Sequence, residues 1–324
     1  MSEGEDWQIP AGMRPDADSL GFDIDRALAA IVSIRARIPE DAFTASTLGR
    51  ERGGNGVIIE RGIVLTIGYL ITEADQVWIT GSDGRAVPGT VVGYDQETGF
   101  GLVQALGRLD LPELAIGDLS GCAPGAPLVV AGQGGLARAL RAKVVAIEEF
   151  AGYWEYLLER ALFTAPAYPN WSGAAALDRD GRLVGIGSLH VERSGSSGRA
   201  QEVNMFVPCE LLEPIRNDLL TLGRPAHPPR PWLGVFTVDH EGKLVVAGLA
   251  GRGPAHAAGI RTGDTIVAID GDPTSTLPAF YRRLWAIGPA GSDVTLTILR
   301  DERQRDVTVA TGDRNRFLKR PQMH

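Results

Sequence analysis

Cysteine and histidine are both scarce in this chain of 324 residues, which contains two cysteines and five histidines. Two cysteines are too few for a disulfide framework, and neither Cys122 nor Cys209 has a CxxC partner, so we expect both to be small buried hydrophobic residues. The sequence also contains no HExxH motif, no zinc-ligand spacing and no Walker loop. We therefore predict no metal site and no cofactor.

The sequence also lacks an excess of positive charge and long apolar runs. The net charge is −8 and the isoelectric point about 5.2, which argues against nucleic acid or an anionic membrane as a partner, because both are bound by clustered Lys and Arg. No apolar run approaches the ~18 residues of a membrane span. The N-terminus, MSEGEDWQIP, is acidic where a secretory signal would be basic and then apolar. These features predict a cytoplasmic protein.

Short β-type segments are abundant. From 53 to 187, runs such as NGVIIE, QVWITG and APLVVAG are separated by Gly, Asp and Pro every 8–12 residues or so, which is typical of an all-β barrel or sandwich. Residues 1 to about 22 lack periodicity and are expected to form a mobile or partner-bound arm. A helix then changes to a strand near Ala29, and an amphipathic helix over 209–222, terminated by Gly223, closes this domain.

Four prolines in RPAHPPRP mark a domain boundary, because proline removes backbone donors and holds φ near −65°. Beyond this stretch the sequence predicts a small αβ unit, with strands at WLGVFTV, KLVVAGL, TIVAID, DVTLTILR and DVTVAT and a helix at LPAFYRRLWAIG. The last eleven residues are expected to form a basic tail.

Several of these stretches resemble the HtrA-type proteases. GGNGVIIERGIVLTIGYLITEADQVWI resembles the family's first barrel, DQETGFGLV its Asp-bearing segment, PNWSGAAALDRDGRLVGIG its nucleophile loop, and GPAHAAGIRTGDTIVAIDG its PDZ domain. The resemblance covers about residues 28–313 and implies a mainly β chain. Its expected parts are an N-terminal arm (1–27), a trypsin-like double six-stranded β-barrel (28–223), a Pro-rich linker (224–230), a PDZ domain (231–313) and a basic C-terminal tail (314–324).

The positions that match the family's catalytic triad are altered. In active members a histidine accepts the serine proton and an aspartate orients that histidine. The resemblance places Tyr69 at the histidine position, Gly99 at the aspartate position and Ser172 at the nucleophile position. A tyrosine is neutral at pH 7 and a poor general base, and glycine has no side chain. None of the five histidines precedes Ser172, so no shift of the alignment within the first barrel restores the triad.

Three further residues are expected at the former substrate cleft: Asn170, Trp171 and His190. Trp171 either fills the cleft or presents an aromatic anchor to a partner, and both alternatives stay open. His190 is expected on a strand that lines the cleft, either as a rim residue that titrates in solvent or as the base of an unusual dyad with Ser172. Without a base, Ser172 is a small polar residue at a tight turn.

The PDZ resemblance implies a peptide-binding groove. PDZ domains bind a peptide as an added strand and hold its terminal carboxylate with backbone N–H groups. The stretch PWLGV occupies the place of the carboxylate-binding loop, and the helix LPAFYRRLW would face it. The alternative is that the domain packs on the barrel and binds no free peptide. The predicted groove residues are Trp232, Leu233, Gly234, Val235, Phe280 and Leu284.

The first functional hypothesis is a catalytically impaired HtrA-like protease homologue that acts as a protein-binding or scaffolding subunit through its cleft and its PDZ groove. A second is an active serine endopeptidase with an atypical site around Ser172. A third is an assembly chaperone for a cytoplasmic enzyme complex. The expected partner is a protein or a C-terminal peptide, and the chain is expected to form a homo-oligomer or to be a subunit of a larger complex.

Overall fold

The computed structural model describes residues 7–194 and 200–319. These residues group into two compact units, the first containing 7–148 and 160–226 and the second containing 149–159 and 227–319. The expectation that all of 28–223 belongs to the barrels is therefore wrong for 149–159, which packs with the second unit. The predicted arm and tail lie in part, at 1–6 and 320–324, outside the described residues.

The first unit confirms the double barrel. The first closed barrel has the strand order β1-β2-β3-β6-β5-β4 and the second the order β10-β11-β12-β9-β8-β7. Closure pairs each of these described strands with a neighbour on both sides. The first-barrel strands are β1 (Ile31–Arg37), β2 (Glu51–Glu60), β3 (Ile63–Ile67), β4 (Gln76–Thr80), β5 (Ala86–Tyr94) and β6 (Phe100–Ala105). Those of the second are β7 (Pro127–Ala131), β8 (Ala139–Gly152), β9 (Tyr156–Ala165), β10 (Ala175–Leu177), β11 (Leu183–Ser194) and β12 (Ala200–Pro208).

Three short helices belong to this unit: α1 (Ile24–Ala29), α2 (Ala45–Leu48) and α3 (Arg216–Leu222). The predicted change from helix to strand near Ala29 is confirmed. The single helix predicted over 209–222 is wrong in its first half, because Cys209–Leu212 forms a 3-10 turn and α3 begins only after Pro214, which has no N–H for a helical hydrogen bond. Gly223 ends α3 in the left-handed conformation, as expected.

Residues 7–22 do not form the expected mobile or partner-bound arm. The Ile9 side chain is buried in the core of the second barrel, and its N–H donates to the carbonyl of Ala137 at 2.9 Å. The Arg138 guanidinium lies 5.0 Å from the centre of the Trp7 ring. Burial of Ile9 together with this cation–π contact gives the segment enough apolar and electrostatic contact to stay packed on the barrel.

The second unit is a six-stranded sheet in which five strands follow the order β13-β14-β15-β17-β18 and the sixth, β16, pairs with β15, so β13 is an edge strand. Apolar residues of α5 and of the sheet form its core. The strands are β13 (Val235–His240), β14 (Lys243–Leu249), β15 (Thr265–Ile269), β16 (Asp272–Pro273), β17 (Asp293–Arg300) and β18 (Arg303–Ala310), and the helices are α4 (Pro254–Ala257) and α5 (Leu277–Ala286).

The beginning of the predicted basic tail belongs to this second unit. Arg314–Arg316 forms a 3-10 turn, and the ring of Phe317 packs 4.9 Å from that of Trp232. The tail prediction is thus wrong for 314–319, because Phe317 provides an apolar anchor that the charged residues around it obscure in the sequence. Throughout the two described stretches, no helix combines the length and apolar character needed to cross a membrane.

Candidate functional site

The two barrels bring Tyr69 and Ser172 into direct contact. Tyr69 lies in the 3-10 turn that follows β3, and Ser172 lies in the turn that precedes β10. The Tyr69 hydroxyl is 2.7 Å from Ser172 Oγ and 2.9 Å from the carbonyl oxygen of Ser188. The Ser172 turn is held from the first barrel by the Asn55 backbone N–H, which donates to the Ser172 carbonyl at 2.8 Å.

The two hydrogen bonds of the Tyr69 hydroxyl fix which atom donates in each. A carbonyl oxygen only accepts, so the single phenolic proton goes to Ser188. The Ser172 hydroxyl is then the donor to the Tyr69 oxygen. The serine proton therefore points at an oxygen that already carries its own proton and cannot keep a second one at neutral pH.

Ionisation of Tyr69 is also strongly disfavoured. Burial raises the pKa of the Tyr69 hydroxyl to about 12, an effect that the hydrogen bond with Ser172 only partly offsets. At pH 7 only about one molecule in 10⁵ then carries a tyrosinate. The pair thus amounts to two neutral hydroxyls that bond to each other.

A buried charge network fixes the carbonyl of the Tyr69 turn. The Arg52 guanidinium donates to the carbonyl oxygens of Tyr69 at 2.7 Å and Thr72 at 3.0 Å, and to the hydroxyl of Thr44 at 2.8 Å. Both carboxylate oxygens of Glu73 accept backbone N–H bonds, from Phe43 at 2.9 Å and Thr44 at 2.6 Å. Burial lowers the pKa of Arg52 to about 10, and the attraction of Glu73 opposes this change, so the guanidinium keeps its charge at pH 7.

Gly99 lies next to the Tyr69 turn, where a triad aspartate would have to reach a histidine. Its carbonyl accepts the Gly68 N–H at 2.6 Å. Its φ angle is +85°, a left-handed conformation that glycine adopts at no steric cost and that costs other residues about 1–2 kcal/mol. The nearest aspartate in the sequence, Asp95, has its carboxylate engaged by the backbone N–H groups of Glu97 and Thr98. This carboxylate caps its own turn.

The other cleft residues predicted from the sequence surround Ser172. The side-chain amide of Asn55 donates to the Asn170 carbonyl at 2.9 Å. The Trp171 ring packs against the His190 ring, with the ring centres 5.2 Å apart. His190 Nε2 lies 3.8 Å from a carboxylate oxygen of Glu202, while the Ser172 hydroxyl is engaged by Tyr69. Trp171 and His190 thus contact each other beside the site.

In the second unit, the predicted carboxylate-binding loop holds a carboxylate from this chain. The backbone N–H groups of Leu233, Gly234 and Val235 donate to the Glu155 side chain at 3.0, 2.7 and 3.0 Å. Gly234 has φ +77°, and a β-carbon there would lie 3.1 Å from both the Ala250 β-carbon and the Trp232 ring. Glycine at this position therefore allows the three N–H groups to converge.

The remaining predicted groove residues divide into two groups. Leu233, Val235, Phe280 and Leu284 are buried together in the core of the unit. Trp232 instead pairs with Gly312 through two backbone hydrogen bonds and packs against Phe317, so it supports the loop from outside the groove.

Sequence reasoning missed two groups of residues. Glu155 was not singled out, although a glutamate within the aromatic run GYWEY is an unusual residue to bury. Arg52 and Glu73 were missed because charged residues are normally exposed, and here they are 6% and 3% exposed. Only the fold shows that these charges meet hydrogen-bonding groups in the interior.

Comparison with known proteins agrees with the observed fold. The family model described as a trypsin-like peptidase domain matches residues 54–186, and the PDZ domain model matches residues 231–311. Among solved structures, the HtrA-type protease AlgW with a decapeptide is 22% identical and aligns with a TM-score of 0.52, covering 92% of this chain and 98% of that one. The serine endoprotease from Yersinia pestis is 23% identical, with a TM-score of 0.52 and coverages of 90% and 96%. These likenesses support the fold.

Curated relatives are named as serine endoproteases. The probable periplasmic serine endoprotease DegP-like of Halomonas elongata is 26% identical over 85% of this chain and 59% of its own length. The periplasmic pH-dependent serine endoprotease DegQ of Escherichia coli is 26% identical over 90% of this chain and 70% of its own length. The chain thus spans less than two thirds of the Halomonas relative.

The predicted cytoplasmic location is wrong by this comparison, since DegP-like proteins and DegQ are named as periplasmic. The prediction rested on the acidic N-terminal residues and on the lack of a long apolar run, and neither feature carries information on the barrels or the PDZ domain. With two closed barrels, a PDZ unit and matches to both domain models, the chain belongs to the HtrA-type family of trypsin-like proteins with a PDZ domain.

Proposed function

We propose that this chain is an HtrA-family homologue without serine-protease catalysis, and that it acts as a protein-binding subunit. The observation that carries the proposal is the hydrogen bond between Tyr69 and Ser172. Acyl transfer by serine requires a base that takes the hydroxyl proton as the oxygen attacks. Tyr69 is the residue that contacts the serine hydroxyl, and its own proton occupies the site that a base must leave open.

The size of the loss can be estimated from proteases with a serine triad. Removal of triad members there leaves ~10³–10⁴-fold acceleration, which comes from the oxyanion hole and substrate binding. Ordinary enzymes of this class need a rate acceleration many orders of magnitude larger than this to turn over a peptide bond at a measurable rate. The Ser172 site without a base therefore supports binding of a polypeptide rather than its cleavage.

The PDZ unit supplies the binding surface in this proposal. It has an edge strand at β13, three convergent N–H groups at 233–235, and an apolar floor that includes Phe280 and Leu284. These are the elements by which a groove recognises the last residues of a polypeptide. We propose C-terminal peptides with an aliphatic last residue as ligands.

The names of the relatives favour a second candidate, a serine endopeptidase with an atypical site at Ser172. A casein-cleavage assay separates the two. We expect the wild-type protein and Ser172→Ala to release fluorescent peptide at the same background rate. Cleavage by the wild type that Ser172→Ala abolishes would establish the endopeptidase instead.

A further inference from the structure

Segment 149–159 occupies the edge of the PDZ sheet in the manner of a bound peptide. The Thr237 N–H of β13 donates to the Tyr153 carbonyl at 2.9 Å, which is the main-chain hydrogen bond of an added strand. The ring of Tyr153 packs edge-on against Phe236, with the ring centres 6.0 Å apart. Two residues further along, the Glu155 carboxylate receives the three N–H bonds of the loop.

The apolar part of the groove is filled by the same segment. Leu157 is 8% exposed and belongs to the buried cluster that contains Leu233, Phe280 and Leu284. A bound C-terminal peptide would place its last side chain against these residues and its α-carboxylate at the N–H groups. Here Leu157 supplies the apolar side chain and Glu155 supplies the carboxylate.

The backbone of the segment is also fixed to α5. The Tyr281 hydroxyl donates to the Gly152 carbonyl at 2.7 Å and accepts the Glu155 N–H at 3.2 Å. Arg282 bonds to the carboxylates of Glu149 and Glu159, which stand at the two ends of the segment. The segment is therefore held along its length, at the loop, at the sheet edge and at the helix.

Glu155 itself has a conformation that only strong local contacts maintain. Its φ angle is +61°, which is uncommon for a residue with a β-carbon and costs about 1–3 kcal/mol. Its side chain is 8% exposed, and a buried carboxylate needs hydrogen bonds to be tolerated. The three loop N–H groups provide those bonds and compensate for both costs.

We infer that the PDZ groove carries an internal ligand, the segment 149–159 of this chain with Glu155 as its carboxylate, and that a free C-terminus binds only by displacing it. The inference rests on the proposed function, since it concerns how a free C-terminal peptide gains access to the same groove. A tethered ligand has an effective concentration of order 1 mM. If the open groove binds a peptide at micromolar strength, competition weakens the observed affinity by up to about 10³-fold.

The test uses the full chain and a fluorescein-labelled peptide that ends in Tyr-Trp-Leu with a free carboxylate. This probe copies the Tyr153-Trp154 backbone and offers its last Leu and α-carboxylate in place of Leu157 and Glu155. Fluorescence polarisation compares the wild type with Glu155→Ala. Glu302→Ala is the matched control, because Glu302 is exposed, lies in the β17–β18 turn and has φ +60°. We expect at least tenfold tighter binding for Glu155→Ala and no change for Glu302→Ala.

Hydrogen exchange read by mass spectrometry tests the occupancy without any added peptide. We expect the amides of 233–237 to exchange faster in Glu155→Ala than in the wild type or Glu302→Ala. Glu155→Gln, which keeps the side-chain length and one carbonyl acceptor, should be intermediate and serves if the alanine variant does not fold. Unchanged protection in a folded Glu155 variant overturns the internal ligand.

The two proposals fail in different ways. Equal peptide affinity of the wild type and Glu155→Ala contradicts the internal ligand but leaves peptide binding in place. Faster exchange in Glu155→Ala, with no binding of the free-acid peptide by any variant, supports the internal ligand and contradicts peptide recognition. A peptide amidated at its C-terminus is the control for recognition of the carboxylate, and it should bind at least tenfold more weakly to Glu155→Ala.

Discussion

The Arg52 network under the Tyr69 turn should be one of the most costly polar sites to disrupt. Arg52→Met removes the donors to the carbonyl oxygens of Tyr69 and Thr72 while leaving the Glu73 carboxylate buried at 3% exposure. The buried charges of Arg52 and Glu73 attract each other, and removal of one partner from such a pair typically costs 3–5 kcal/mol or so, because the remaining charge loses its counter-charge. We expect a loss of about 4 kcal/mol in the free energy of unfolding.

Urea denaturation followed by far-UV circular dichroism measures this change as a shift of the barrel unfolding midpoint. Arg50→Met is the matched control, since Arg50 and its partner Glu40 are exposed and such a surface pair contributes about 0–1 kcal/mol. The double variant Arg52→Met/Glu73→Gln should cost less than the sum of the two single changes by more than about 1 kcal/mol. A cost for Arg52→Met no larger than that of Arg50→Met would refute this reasoning.

Three other outcomes are expected. Tyr69→Phe should cost about 1–3 kcal/mol in unfolding free energy, since it leaves the Ser188 carbonyl and Ser172 hydroxyl unsatisfied; an unchanged urea midpoint would argue against those bonds. Tyr69→His/Gly99→Asp should not restore casein cleavage, because position 99 has φ +85°, and recovery of a normal rate would contradict this. Peptide affinity of the wild type should rise between about pH 5 and pH 8 in polarisation titrations, and that of Glu155→Gln should rise less.

The direction of the pH effect follows from the environment of Glu155. Burial raises the pKa of Glu155 from an ordinary value of 4.5 to about 7, against the opposing effects of the loop N–H groups and Arg314, while the hydroxyl of Tyr281 stays neutral. A raised pKa means that the docked segment holds its proton more tightly than the free segment. Its contribution to docking is fully present below about pH 4.5 and is lost as the pH rises through about 7. Glu155→Gln lacks this carboxyl group and is the control for any pH effect that does not arise from Glu155.

The fold could be predicted from the sequence because local signals and apolar pattern agree along most of the chain. Apolar strands separated by Gly, Asp and Pro specify two barrels, and the prolines before Trp232 separate them from the PDZ unit. The helix predicted over 209–222 failed at Pro214, where the apolar spacing continues but the backbone donor is missing.

The contact of Tyr69 with Ser172 could also be anticipated, because a resemblance between families transfers positions in space. The binding of the Glu155 carboxylate by the loop N–H groups could not be anticipated. It depends on the length of the β8–β9 hairpin and on a left-handed φ angle at a glutamate. Neither feature has a pattern that repeats along the sequence. Buried charges such as Arg52 are likewise defined by partners far away in the chain.

Reaction with a fluorophosphonate probe tests the central claim most directly, since such a probe labels a serine only when its hydroxyl is activated. Intact-mass and peptide mass spectrometry would follow labelling of the wild type and Ser172→Ala at pH 7. The bond between the Ser172 hydroxyl and neutral Tyr69 predicts no more adduct on the wild type than on the variant. Stoichiometric modification at Ser172 that disappears in Ser172→Ala would contradict the account and show that the serine has a base.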